Sequence, residues 1–304
     1  MKEIYHICFT SHDEVMFRDK EDHGTFVNIM ALQSYATATE LMADAEMSTH
    51  VHQAVFTDTP SVFASRERMS YTKYFNAKYG RKGRFGQKYT FILKVDGFNH
   101  VATMMTYILR NGLHHAAAAT AFGYPFCSVR EMFSEELFLS SEIATISTRQ
   151  EIASYLPRFS KFPDSFRMNK EGVFVRSSFM ELRRAEHFYT TPRNFLYQMN
   201  RITDESWINE QLRDNTGAPI KISDIEHTDE KSIAQMLNNE YGRNFSRSRL
   251  QDLDVCSLID NNLIGRYGVD SVYHLTDSQK KSIARQLKNE FHLSDAQICR
   301  CLVV

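Results

Sequence analysis

A chain of 304 residues is long for one compact core, and a composition of 42% hydrophobic and 24% charged residues excludes a disordered or fibrous polypeptide. Five scattered cysteines (Cys8, Cys127, Cys256, Cys299, Cys301), none in a Cys-x-x-Cys pair, exclude a disulfide framework and a thiolate zinc site and fit a reducing cytoplasm. The net charge of −1 conceals an asymmetry: residues 1–60 carry three Lys/Arg against ten Asp/Glu, whereas residues 66–94 carry nine Lys/Arg against Glu67 alone.

Met1 to Thr10 reads as a short strand and lacks the apolar region of a signal peptide. No run approaches the ~20 apolar residues that span a bilayer. A soluble, cytoplasmic protein with no membrane partner is expected. Within the first strand, Ile4–Thr10, His6 reads as a residue that fills the sheet. The spacing of Phe26, Ile29, Met30 and Leu32 predicts a helix over Asp22–Ala38. Strands follow at Thr39–Ala45 and His50–Thr57, with a turn near Ser48 between them. Thr59-Pro60-Ser61 punctuates the chain before a helix at Val62–Tyr79. Gly80 to Gly86 forms a basic glycine-rich loop, Lys88–Val95 a fourth strand, and Phe98–Asn111 a further helix. The order β-α-β-β-α-β predicts an α+β fold, a ferredoxin-like antiparallel sheet with packed helices, over residues 1–135.

Residues 136–225 read as a helical middle segment and linker, with helical patterns at Thr148–Leu156 and Ser178–Phe188 and a linker at Thr216–Ile225. Residues 226–304 read as an all-helical region, with helices at Glu230–Glu240, Ser246–Asn261, Asp277–Glu290 and Ser294–Leu302. The last two are similar to the opening pair of a helix-turn-helix, and the sequence ends where a recognition helix is expected to begin. Either an upstream helix reads DNA or this region only packs.

Two features carry chemistry. In His50-Val51-His52 the imidazoles share one face of a strand while Val51 turns to the other, and two adjacent imidazoles can hold a divalent metal. Tyr107 and Asn111 are four residues apart and share one face of the predicted helix. If that helix packs beside the histidine strand, Asn111 offers a metal an oxygen and Tyr107 brings its phenol to a metal-bound phosphate. A phenol of pKa about 10 is a poor nucleophile, so charge stabilisation at the phosphate is what such a tyrosine needs. The competing readings are plain ones: Tyr107 as a core residue among Met104, Met105 and Ile108, and Asn111 as a helix terminator before Gly112. His114 and His115 read as solvated loop histidines.

The basic stretch interleaves Tyr71, Tyr74, Phe75, Tyr79, Phe85, Tyr89 and Phe91 with its charges. Cations on phosphates and aromatic faces on bases would hold single-stranded DNA, whereas an amphipathic helix with core aromatics needs no ligand. Arg81, Lys82, Arg84 and Lys88 are the candidate phosphate contacts and Gln87 a base or backbone contact, with Arg183, Arg184 and Arg193 as a weaker extension.

His50-Val51-His52, Tyr74-Phe75-Asn76 ahead of the glycine-rich loop and Tyr107-Ile108-Leu109-Arg110-Asn111, with Tyr5-His6-Ile7 and Phe17-Arg18-Asp19, resemble the single-tyrosine HUH transposase family. The branch they resemble is that of the REP-associated tyrosine transposases, over roughly residues 1–135. The resemblance implies a ferredoxin-like fold, Mg²⁺ or Mn²⁺, and cleavage and joining of single-stranded DNA at hairpins through a 5′-phosphotyrosine. It places His50, His52 and Asn111 on the metal and Tyr107 as nucleophile. It leaves open a monomer or a homodimer. Thr49, Gln53 and Gly112 depart from the residues customary at those positions. A non-catalytic, domesticated DNA-binding regulator on the same fold is the alternative, and an unrelated metal-binding ferredoxin-like protein a third.

Overall fold

The structure, a computed structural model, describes residues 1–11, 13–86, 90–139, 142–201 and 250–304. Strands β1 (Glu3–Thr10), β2 (Glu40–Glu46), β3 (His50–Thr57) and β4 (Phe91–Lys94) form an antiparallel sheet in the order β2-β3-β1-β4. Helix α1 (Lys20–Ala36) joins β1 to β2, and α2 (Pro60–Tyr79) joins β3 to β4. This is the expected α+β, ferredoxin-like βαββαβ sheet with packed helices.

Side chains alternate across a sheet, so each strand feeds two cores. Ile7, Phe9, Val51 and Val55 join Phe26 of α1 and Phe63, Tyr71 and Phe75 of α2 on one face. On the other face Ala43, Ala45 and Ala54 leave room for a close helix. That helix is α3 (Phe98–Leu109), which contributes Val101, Met104, Met105, Tyr107 and Ile108. The histidines of β1 and β3 therefore face α3.

Local chemistry fixes the element ends. Asp19 caps α1 through a reciprocal bond with Asp22, a capping box. Helix α2 starts two residues earlier than the sequence suggests, because Pro60 suits the first turn, where a missing N–H costs nothing. It stops at Gly80, whose φ of 64° favours glycine.

Four aromatic residues of the basic stretch, Tyr71, Phe75, Tyr79 and Phe85, are buried in the core, Tyr74 and Phe91 are partly buried, and Tyr89 lies outside the described residues. Several of its cations are neutralised by the acidic first sixty residues. Lys78 meets Asp19, Glu21 and Asp22, Arg81 meets Glu14, and Lys94 meets Glu3. Part of the charge asymmetry of the sequence is thus taken up in ion pairs between the two segments.

Phe162, Phe166, Met168 and Phe174 close a core with Ala31 of α1, around α5 (Arg149–Ser154). Ala185 of α6 (Leu182–His187) and Phe195 of α7 (Pro192–Asn200) complete the core of α3. The buried Arg176 donates to Asp44 and Glu46 of β2 and to Glu142. Beyond residue 249, α8 (Asp252–Leu258), α9 (Asp277–Phe291) and α10 (Asp295–Leu302) surround Val255, Ile259, Ile283, Leu287 and Ile298. Val15, from the β1–α1 loop, inserts into that core. Arg18 locks the contact with two bonds to Asp260, at 2.8 and 2.9 Å, and one to the Cys301 carbonyl at 2.9 Å. The predicted linker Thr216–Ile225, the helix Glu230–Glu240 and the start of Ser246–Asn261 lie outside the described residues. Among the described residues, no helix is long and apolar enough to cross a membrane.

Candidate active site

Strand register places the first groups. His50 pairs with Thr10 and His52 with Cys8, so both imidazoles stand on the α3 face while Val51 is buried on the other. Gln53, next in line on that opposite face, is buried against Glu67 of α2, its amide donating at 2.6 Å. Burial pushes the Glu67 carboxyl up to about 8, the Gln53 bond opposing.

Helix α3 brings the tyrosine. The Tyr107 ring meets His52 edge-on, with centroids 5.3 Å apart, and His52 meets His50 at 4.9 Å. Asn111 Oδ1 lies 3.3 Å from His50 Nε2. The structure therefore brings His50, His52, Tyr107 and Asn111 together, but not on one continuous helix. Helix α3 ends at Leu109, Arg110 turns with φ −94° and ψ 4°, and Asn111 opens a single turn, α4 (Asn111–His114). The Arg110 guanidinium reaches the carbonyls of Gln198 and Arg201, and the Asn-Gly pair that follows is a poor helix former. Asn111 therefore opens a turn rather than ending a helix as the plain reading has it, and it is a neighbour of His50.

Three histidines that the sequence reading set aside join the cluster. His6 Nε2 lies 3.0 Å from His52 Nδ1, and the two rings stack at 14°. His115 packs against His50 at 5.0 Å and His114 against Tyr107 at 5.5 Å, so neither is a solvated loop residue. The clue for His6 was its position: on β1, two residues before Cys8, it shares a face with the residue opposite His52. His114 and His115 gave no such signal, since the turn at Arg110 decides where they point.

The cluster is closed. Tyr107, His52 and Asn111 are fully buried, and His50 nearly so. Burial, with His115 adding, pushes His50 down to about 3. Burial pushes His114 and His115 down to about 4, helped by Arg110 and by His114 respectively. These imidazoles are neutral, the form that can ligate a metal. The Nε2 atoms of His114 and His115 and the Nδ2 of Asn111 are buried and meet no hydrogen-bond partner among the described residues. Among those residues no three His, Cys, Asp or Glu side chains converge as a metal cage; the Asn111 amide oxygen is a further donor beside His50. Two imidazoles and an amide oxygen suit Mn²⁺ better than Mg²⁺, which favours an all-oxygen shell.

Of the candidate DNA contacts, Arg81, Lys82 and Arg84 lie on the glycine-rich loop, and Gln87 and Lys88 fall outside the described residues. All five N–H donors of Arg81 are committed: to Glu14 twice, Asn76 Oδ1, and the carbonyls of Gly83 and Arg84. Arg81 shapes the loop, and its guanidinium has no donor left for a phosphate in this conformation. Lys82 and Arg84 are exposed. Arg184 is elsewhere, bound to Glu40 and stacked on Phe56 at the β2 side of the sheet.

No protein-family model matches the chain, and no curated protein matches it. Among solved structures, one of a REP-associated tyrosine transposase bound to a REP hairpin is similar, at 13% identity and a TM-score of 0.40, covering 48% of this chain and 91% of that one. Likeness at 13% identity concerns chain path, not chemistry.

Proposed function

We infer that the chain is a metal-dependent endonuclease and strand-transferase for single-stranded DNA carrying hairpins, with Tyr107 as nucleophile. The observation that supports this reading is the meeting of Tyr107 with His52 and of Asn111 with His50, from one strand, a helix and the turn that follows it, on one face of the sheet. Mg²⁺ or Mn²⁺ held by His50, His52 and Asn111 would polarise a phosphodiester oxygen and neutralise its charge. Tyr107 gives up its phenolic proton and attacks phosphorus; the P–O3′ bond breaks, the 3′ oxygen takes up a proton, and a 5′-phosphotyrosine is left. Bond energy is retained, so a 3′ hydroxyl can reverse the step and join strands.

Because Tyr107 is fully buried, with His114 of the following turn against its ring, a strand reaches it only when the packing around it opens. The same burial, together with the engagement of Arg81 by Glu14, favours the second reading, a DNA-binding regulator without cleavage.

One experiment separates them. Labelled single strands bearing hairpins are incubated with the protein and Mn²⁺ and run on a denaturing gel. The enzyme reading expects label that stays with the protein, is lost in Tyr107→Phe and weakens with chelator. Binding with no adduct on cleavable sites supports the regulator.

A further inference from the structure

A cleft of about 900 Å³ separates the glycine-rich loop from the carboxy-terminal helices. One wall carries Arg81, Lys82 and Arg84; the other is made by Tyr273 and His274, from the turn before α9. The two walls are built onto each other. The Tyr273 hydroxyl donates to Glu14 at 2.7 Å, the carboxylate that also holds Arg81. The His274 ring lies over Gly80, so close that a Cβ there would come within 2.4 Å of its Nε2. Its side chain keeps 45% of its exposure.

The cleft lies at the end of the sheet where His50 stands, on the α2 side, the face opposite the histidine cluster. Gly86, at the end of the loop, packs on the carbonyl of Thr10, and Thr10 is the register partner of His50. Ser11, the next residue, lines the cleft and holds the Thr49 carbonyl through its backbone N–H at 2.8 Å. A strand leaving the histidine face would round this end of the sheet to enter between the two walls.

We propose that this cleft is the track for the single strand flanking the scissile phosphate, with phosphates on Lys82 and Arg84 and a base against the exposed ring of His274. The carboxy-terminal helices are then the second wall of a nucleic-acid groove. The volume lies in the range of formed ligand sites. Exposed cations on one side and an aromatic ring on the other are the pairing that holds unpaired nucleotides without reading their sequence. Glu14 keeps Arg81 inside the loop, so the cationic edge offered to the strand is that of its two neighbours. The choice of DNA as ligand rests on the function proposed above.

The test uses the full chain carrying Tyr107→Phe, which binds without cleaving, and hairpin oligodeoxynucleotides with 5-iodouracil placed along the flanking strand. Ultraviolet crosslinking and peptide mass spectrometry are expected to find a crosslink to His274 or Tyr273. Anisotropy titrations are expected to show His274→Ala weakening binding fivefold or more. Lys82→Glu with Arg84→Glu weakens it at least tenfold and flattens the slope of log affinity against log salt by about 1.4, the value for two lost phosphate contacts on a single strand. Crosslinks confined to residues 1–201 overturn the proposal, as does unchanged or tighter binding by His274→Ala. A Tyr107 adduct in the unmutated chain without a crosslink at the cleft removes the track and keeps the enzyme. A crosslink at His274 with no adduct keeps the track and removes the enzyme.

Discussion

His6 Nε2 lies 3.0 Å from His52 Nδ1, joining neighbouring strands under α3. A neutral imidazole carries one proton on two nitrogens, so one ring donates across this contact and the other accepts. With Nδ1–H donating to His6, the lone pair of His52 sits on Nε2. In that tautomer His6 would be a positioning residue for the proposed metal ligand.

Replacing His6 with Phe keeps a flat ring in the sheet and removes the bond. Mn²⁺ affinity, measured from the free-ion electron paramagnetic resonance signal, is expected to fall about 10–100-fold, the usual effect of losing a ligand's orienting partner. Unchanged affinity would return His6 to the role of a residue that fills the sheet.

The sheet was legible because its signals are local: alternation, the Pro60 helix start and the Gly80 stop are written in adjacent residues. His50 and His52 were legible for the same reason, as period-two neighbours. Tyr107 and Asn111 were found on a wrong premise, one continuous helix, and their approach to the histidines depends on a break at Arg110 stabilised by carbonyls some 90 residues away. No local pattern records such a partner. The basic stretch misled in the opposite way: its charges were visible, but the carboxylates of Glu3, Glu14 and Asp19 that neutralise them come from the other end of the domain.

The buried titratable groups impose two opposed pH trends. His50 at about 3 and His114 and His115 at about 4 lie below the unfolded value near 6.5. Between those limits the unfolded chain binds protons that the folded one refuses, so their contribution is complete above pH 6.5 and is lost as pH falls toward 4. Glu67, raised to about 8, is protonated in the folded state; its contribution is complete below about 4.5 and is lost as pH rises through 8. Urea midpoints measured from pH 4 to 9 are expected to fall at both ends. His114→Gln is expected to flatten the acid limb alone and Glu67→Gln the alkaline limb alone. An alkaline limb unchanged by Glu67→Gln would show that its carboxyl ionises normally.

The docking of the carboxy-terminal helices rests on a guanidinium with no access to water. Arg18 is almost completely buried, and Asp260 is its carboxylate partner from outside the sheet domain. Asp260→Asn leaves that charge without its counter-ion. The cost is expected to be about 2–4 kcal/mol, below the full value for a buried pair because Asp260 is partly exposed. Limited proteolysis would show cleavage after residue 250 at protease levels that leave the unmutated chain whole. Equal resistance in both proteins would mean that Val15 and the Ser48–Asp252 bond suffice to hold the contact.

Gly112 is the residue whose smallest change tests the cluster without touching a ligand. A Cβ at this position would come within 2.4 Å of Tyr124 Cβ and Cγ, and neither atom can swing away. The Tyr124 hydroxyl is tied to the Glu46 carbonyl at 2.6 Å, so the ring is held at both ends. Gly112→Ala must therefore push the α4 turn outward, taking Asn111 from His50 and His115 with it. Overpacking of this kind costs about 1–3 kcal/mol, read as a lower thermal midpoint. If Asn111 serves the metal, Mn²⁺ affinity falls alongside stability, and Tyr124→Ala in the same chain restores the affinity by opening space, at a further cost in stability from the lost ring and its hydrogen bond. A stability loss with Mn²⁺ affinity intact would place Asn111 outside the ligand set and leave the histidine pair to act without it.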